Sequence, residues 1–209
     1  MCGTGRFLIQ LLQAGYPIEG FDASEAMLAT LHHNWAQISQ TQAPVWHQFL
    51  QDFTSTKSYN LIFIPYGSWG LITNLDDAQI GLNRLYAHLN PGGTLIVEIE
   101  TTASLPEYLD TPIHGSVTKP DGSKITLNAL SSYSAVTQLF TSRCRYDLIV
   151  NNQIVESEYE DFKQYLYRFD EFDEQLIAAG FVNIQKYQDY ALTAATNPTH
   201  TIMYVCTKA

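Results

Sequence analysis

Two apolar runs with a helical stripe between them constrain this chain more than anything else in it. "YNLIFIP" (59–65) and "TLIVEIE" (94–100) are short and nearly continuous in apolar residues, the pattern of strands covered on both faces. Between them Ala78, Leu82, Leu85, Tyr86 and Leu89 recur at helical spacing, and "NPGG" turns the chain into the second run. The same alternation holds upstream. Phe7, Leu8, Leu11 and Leu12 form a helical stripe that Gly15 ends. "YPIEGFD" is a short strand ending at Asp22. Ser24 and Glu25 open a helix whose face is Met27, Leu28, Leu31, Trp35 and Ile38, and "VWHQFLQD" reads as a strand. Strands alternating with helices predict an α/β fold with a doubly wound, mostly parallel sheet.

The period changes after "TLIVEIE". From about Pro112 to Glu160 no helical period survives. Cys144, Tyr146, Leu148 and Val150 alternate with Arg143, Arg145, Asp147 and Ile149, a period of two. "KPDGSK" and "VNNQ" are turns, the first because proline fixes φ and glycine admits positive φ. The stretch 112–160 is therefore expected to be an antiparallel insertion in a single domain of residues 1–209. A helix returns over 170–179, with Phe172, Leu176 and Ile177 inward and Gly180 as its stop. "VNIQKYQDY" and "HTIMYVCTK" are the final strands.

Composition removes several function classes. Asp+Glu is 21 against Lys+Arg 11, a net charge of −10. An acidic surface repels phosphate backbones, so nucleic acid is not an expected partner. No apolar run approaches the roughly 18 residues that span a bilayer, so no membrane association is expected. Cys2, Cys144 and Cys206 have no paired spacing. They read as reduced thiols of a cytoplasmic protein and not as a disulfide or metal framework. His32 and His33 read as an exposed helix pair, and no metal site is expected.

The opening "MCGTGRF" carries the chemistry. Gly3 and Gly5 flank a tight strand-to-helix turn, where the lack of Cβ atoms lets a ligand approach the backbone. The helix beyond offers free N–H groups. Asp22 ends the next strand 17 residues beyond Gly5. There its carboxylate can accept both hydroxyls of a ribose, or it can cap the helix that starts in "ASEAML". An adenosine-containing ligand follows from the pair. A nicotinamide dinucleotide is disfavoured, because its glycine pattern needs a small residue where Leu8 stands.

These segments together resemble the class I S-adenosylmethionine-dependent methyltransferases of the small-molecule type, with their Rossmann-like sheet. "CGTGRFLIQLLQAGYPIEGFDASEAML" is similar to that family's first motif and second strand. "LQDF" resembles its adenine-contacting stretch, "YNLIFIPYGSWGLI" its fourth strand, "LNPGGTLIVEIET" its fifth, and "LIAAGF" the helix end before its last two strands. The resemblance implies S-adenosyl-L-methionine as cofactor, held by Cys2, Gly3, Gly5, Asp22, Ala23, Met27, Asp52, Phe53 and Pro65. Asp52 would lie toward the exocyclic amine and Phe53 near the ring. Met27 fits either the adenosine or the core stripe. The family's first strand and the acidic residue that holds the cofactor's amino group fall before Met1. The sequence thus reads as starting after that strand, and weak cofactor binding is the expectation.

The resemblance further implies methyl transfer to a small-molecule acceptor by in-line displacement, aided mainly by alignment and exclusion of water. Tyr66, Ser68 and Trp69 either line the acceptor pocket or pack a loop. Glu98 and Glu100 end the family's fifth strand, where a substrate contact is one reading. His114 is a general base or a surface residue, and Arg168 meets an anionic substrate or pairs with Glu171. The catalytic residues stay unassigned. Tyr133, Tyr146, Tyr159, Tyr165 and Tyr167 suit a lid over a small molecule as well as a homodimer surface. A non-catalytic module of the same fold that binds a nucleoside or a protein is the competing function.

Overall fold

The computed structural model describes all of residues 1–209. In chain order its elements are α1 (Leu8–Gln13), β1 (Gly20–Asp22), α2 (Glu25–Ala36), β2 (Val45–His47), β3 (Tyr59–Ile64), α3 (Leu75–His88) and β4 (Leu89–Glu100). There follow β5 (Ile113–Thr118), β6 (Lys124–Ser134), β7 (Leu139–Val150), β8 (Gln153–Tyr165), α4 (Glu171–Ala178), β9 (Phe181–Tyr187) and β10 (Thr201–Lys208). They form a parallel pair β1-β2, a central sheet in the order β3-β4-β10-β9, and a separate sheet in the order β5-β6-β7-β8.

Local chemistry explains the helices. Ser24 caps α2 by accepting the Met27 N–H at 3.2 Å, and Asn74 caps α3 by accepting those of Asp76 and Asp77. Leu28 and Leu31 turn inward from α2, and Ala78, Leu82 and Leu85 from α3. On β4 alternate residues Leu95, Val97 and Ile99 are buried with Leu82, Leu85, Phe172, Leu176, Ile202 and Tyr204. Trp69 sits fully buried among them and donates its Nε1–H to the Tyr167 hydroxyl at 3.0 Å. Phe172 packs edge-on against Trp69, Tyr167 and Tyr204 at centroid distances of 5.1–5.4 Å. No helix is long and apolar enough to cross a membrane.

The sheet is less parallel than the alternation predicts. Only β1-β2 and β3-β4 run parallel, whereas β10 lies antiparallel to both β4 and β9. The reason is connectivity. The chain enters β9 from α4 and doubles back through residues 188–200 into β10, which needs no crossover helix. No backbone ladder joins β1 to β3. Side chains bridge them: Phe21 stacks on Phe53 at 4.9 Å, and Glu19 accepts hydrogen bonds from Lys57 and the Tyr59 hydroxyl.

That open edge corrects the reading of "YNLIFIP" as covered on both faces. Asn60 and Leu61 are exposed, Leu61 by 50%, and only Ile64 is buried. Two further expectations fail. "VWHQFLQD" is a strand only over 45–47: the Gln48 N–H makes the last ladder bond, to the Asp22 carbonyl, and Leu50–Asp52 then winds into a 3-10 turn. Ile177 is 63% exposed, since Phe172 and Leu176 alone fill the inner face of the short α4.

The segment 113–165 is an antiparallel meander. Asn151 and Asn152, both at positive φ, make the two-residue turn between β7 and β8, a conformation asparagine tolerates. Register groups its charges. Glu156, Glu158 and Glu160 stand opposite Leu148, Tyr146 and Cys144 on one face. Arg143, Arg145, Lys163 and His114 share the other with Asp147 and Asp161.

A buried polar knot ties this sheet to α4. Gln138, 2% exposed, donates through Nε2 to the Tyr165 hydroxyl (2.8 Å), Glu171 Oε2 (2.7 Å) and the Leu166 carbonyl (3.2 Å), and its Oε1 accepts Arg168 Nε–H. Tyr165 donates to Glu171 Oε1 at 2.6 Å. The backbone closes the seam. Tyr167 N–H reaches the Glu100 carbonyl, Thr102 N–H reaches the Tyr167 carbonyl, and Thr101 N–H reaches the His200 carbonyl.

Gln138→Ala leaves charged partners unsatisfied in a buried place and should cost about 2–3 kcal/mol in urea unfolding. Gln138 also sits at φ +55, so Gln138→Gly should recover roughly 1 kcal/mol of that loss. Equal losses for the two variants would show that the backbone strain is negligible. In hydrogen exchange, the β3 amides that face the open edge should exchange about tenfold or more faster than those of β4.

Candidate active site

The site is assembled at the carboxyl ends of β1, β3 and β4, where open α/β sheets place their ligands. Gly3 and Gly5 have different tasks in the opening turn. Gly5 lies at φ +88, and a Cβ on it would come within 2.8–2.9 Å of Ile9 and Leu31 atoms. Its role is close packing of the turn on α1 and α2. Gly3 lies at φ +54, and a Cβ there would meet nothing within 4 Å. The backbone at Gly3 is therefore open on the side where a Cβ would stand.

Asp22 holds this turn in place. Its Oδ2 accepts the Gly3 N–H at 2.8 Å and pairs with the Met1 ammonium at 2.7 Å, while Oδ1 accepts the Ser24 N–H at 2.9 Å. Burial opposes the charge, but the Met1 ammonium and the Ser24 and Gly3 N–H groups outweigh it and hold the carboxyl below its usual range. The helix cap is Ser24, so Asp22 is not the cap. Oδ2 has both its acceptor directions taken, and Oδ1 keeps one acceptor direction open. Together with the open space at Gly3, the residues present fit an adenosine-bearing ligand.

The other predicted cofactor residues lie around this centre with unequal exposure. The Cys2 N–H bonds the Phe21 carbonyl at 2.9 Å, and the Ala23 carbonyl contacts a His47 ring nitrogen at 2.9 Å. Met27 is 47% exposed, which removes it from the core stripe. The Asp52 carbonyl accepts Gln48 Nε2, leaving its carboxylate without a protein partner. Phe53 is 3% exposed, and its ring packs on Phe21 and His88 as core.

Pro65 leads from β3 into a left-handed pair, Tyr66 (φ 62) and Gly67 (φ 60). A non-glycine residue held at positive φ is a stored strain of the kind that concentrates at functional sites. The Tyr66 ring is 61% exposed, lies 5.8 Å from Phe7, and has the Arg6 guanidinium carbon 4.8 Å from its centroid. These contacts join the β3 turn to the glycine turn, and neither Arg6 nor Phe7 was legible as a site residue. Ser68 opens the following 3-10 turn, whereas Trp69 belongs to the core. Glu98 accepts the Tyr190 hydroxyl, another partnership that sequence spacing does not reveal. Burial and that carboxylate push the Tyr190 phenol up to about 12, which keeps it a donor at neutral pH.

Two predicted acceptor residues lie elsewhere. His114 bonds Asn128 Oδ1 at 2.6 Å on the insertion and lines a shallow groove with Ser116, Lys124 and Thr126. None of the groove's lining residues comes from the glycine turn, β3 or β4. Arg168 is engaged in the knot around Gln138 and also sends its backbone N–H to Glu171.

In sequence and in fold the chain is similar to known methyltransferases. Residues 1–93 match the family described as a methyltransferase domain. A Geobacillus sp. (strain WCH70) protein named as a methyltransferase is 22% identical over 207 residues, 99% of this chain and 82% of its own. The dTDP-3-amino-3,6-dideoxy-alpha-D-glucopyranose N,N-dimethyltransferase of Streptomyces fradiae is 28% identical over 97 residues, 46% of this chain and 36% of its own. Among solved structures, an S-adenosylmethionine-dependent methyltransferase from Clostridium acetobutylicum shares the fold. Its TM-score is 0.81 at 17% identity, over 100% of this chain and 81% of that one.

Asp22→Asn should weaken binding of the demethylated cofactor about tenfold in calorimetry, since a charged acceptor is lost. The parent's stability advantage over this variant should be complete at pH 7. It should shrink below about pH 4, as the carboxyl protonates through its depressed folded value. Gly5→Ala should destabilise the fold more than Gly3→Ala, while Gly3→Ala should act mainly on cofactor affinity; thermal melts and calorimetry separate the two.

Proposed function

We propose that this chain is an S-adenosylmethionine-dependent methyltransferase, a reading supported by the match of residues 1–93 to a methyltransferase domain, and that it methylates an amine nitrogen of a small, sugar-sized acceptor by in-line displacement. The likeness to an enzyme named for N,N-dimethylation of a dTDP-linked aminosugar supports the choice of acceptor. S-adenosylmethionine supplies a methyl group on a positively charged sulfur, which is already a good leaving group.

What remains for the protein is to bind, orient and exclude water. Gly3 lets the backbone approach the bound molecule, and Asp22 Oδ1 accepts a ribose hydroxyl. Asp52, Ala23, Cys2 and Met27 border the adenosine. Phe53 backs the site from the core through its stack on Phe21. Pro65, Tyr66 and Ser68 face the acceptor side, and the sheet of residues 113–165 walls it, anchored through Gln138 and Tyr167. A rigid anchor suits a wall that must hold a nucleophile in line.

The test is methyl transfer from S-adenosylmethionine to dTDP-linked 3-amino-3,6-dideoxyglucose and to its 3-hydroxy counterpart, followed by mass spectrometry. The amine should gain one or two methyl groups and the hydroxyl compound none. Transfer to the hydroxyl alone would overturn the choice of nitrogen. Cofactor binding with no transfer to any small molecule would favour a non-catalytic binding module.

A further inference from the structure

Two carboxylates stand on one face of β4 at its carboxyl end, and only one of them is engaged. Glu98 accepts the Tyr190 hydroxyl. Glu100 forms its hydrogen bond through the backbone, its carbonyl accepting the Tyr167 N–H at 3.1 Å, and its half-buried carboxylate has no hydrogen-bond or ion-pair partner. That carboxylate lies over the left-handed turn after β3. A Cβ on Gly67 would come within 2.9 Å of Glu100 Oε1, so the turn needs glycine both for its φ and for the acid above it.

The neighbouring ring already demonstrates an affinity for positive charge. Tyr66 adjoins Gly67, and its exposed face carries the Arg6 guanidinium at 4.8 Å. A free carboxylate, an aromatic face and the glycine turn thus form one continuous rim. The backbone that carries the carboxylate is fixed from behind. Thr101 N–H bonds the His200 carbonyl and Thr102 N–H bonds the Tyr167 carbonyl, both at 3.0 Å, so the backbone beside Glu100 cannot swing away.

We infer that Glu100 and Tyr66 form the subsite for the acceptor's amine, with Glu100 as the catalytic carboxylate. This rests on the amine acceptor argued above. The nitrogen lone pair forms the N–CH₃ bond while the S–CH₃ bond breaks and sulfur keeps its electron pair. Positive charge moves from sulfur to nitrogen, and the nitrogen then gives up one proton through Glu100 to solvent. A carboxylate beside that nitrogen stabilises the charge as it develops, and the Tyr66 ring lines the subsite beside it. A hydroxyl acceptor gains less from this arrangement, so the pair also selects nitrogen.

Glu100→Gln keeps the shape and removes the charge. With the demethylated cofactor bound, calorimetry should show the affinity for dTDP-linked 3-amino-3,6-dideoxyglucose falling about tenfold, while the 3-hydroxy counterpart binds as before. Affinity for the demethylated cofactor itself should not change. In turnover, kcat for the amine should fall about 10²–10³-fold. Tyr66→Leu, at an exposed ring, should raise KM for the amine in a protein of parental Tm. Equal losses for amine and hydroxyl ligands would overturn the subsite, as would parental turnover by Glu100→Gln. A parent protein that methylates no amine would overturn the proposed function and the subsite with it.

Discussion

Tyr167 is where the molecule is joined. Its backbone bonds the Glu100 carbonyl and the Thr102 N–H, and its hydroxyl receives the Trp69 indole N–H. Its ring packs against Phe172 and Tyr165. A single fully buried residue thereby links the exit of the insertion, the end of β4, the turn after β3 and the start of α4. Burial holds its phenol well above the ordinary value, so it remains a neutral, permanently hydrogen-bonding group. The rim of the active site inherits its rigidity from this joint and not from the loops that form it.

Much of this was legible in the sequence, because its signals were local. Period and capping chemistry located α2, α3, β4, β9 and β10. The two turns of the insertion announced themselves through Pro-Asp-Gly and Asn-Asn. The glycine turn and the acid that ends β1 were readable as local features, and the structure brings the two into contact. What was not legible was tertiary. Leu61 looked like a core residue, and only the absence of a ladder between β1 and β3 leaves it exposed. Phe53 looked like a ligand contact, but the stack on Phe21 takes its ring. Arg168 looked available until Gln138, 30 residues away, was found against it.

The same distinction applies to Tyr66. Nothing in "IPYGSW" announces that tyrosine, and not glycine alone, occupies a left-handed conformation. Its strain is affordable because Pro65 and the buried Trp69 fix the chain on both sides, and Phe7 and Arg6 pack the ring from across the cleft. Sequence shows which residues are capable of chemistry. The packing of distant residues decides which of them remain free to perform it, as the contrast between Glu98 and Glu100 illustrates.

The distribution of charge across the insertion has a consequence for the crowded solution around the protein. β8 is a 13-residue outer strand whose unpaired backbone could template a second chain. Glu156, Glu158 and Glu160 project from one side of it, so two copies meeting edge to edge bring six carboxylates together. At neutral pH that repulsion acts as a colloidal guard, reinforced by the net charge of −10. Ile154 and Val155 are exposed on the same strand, and the three carboxylates keep that apolar stretch from meeting its own copy. Three side chains outside the candidate site thus guard the open edge of the insertion.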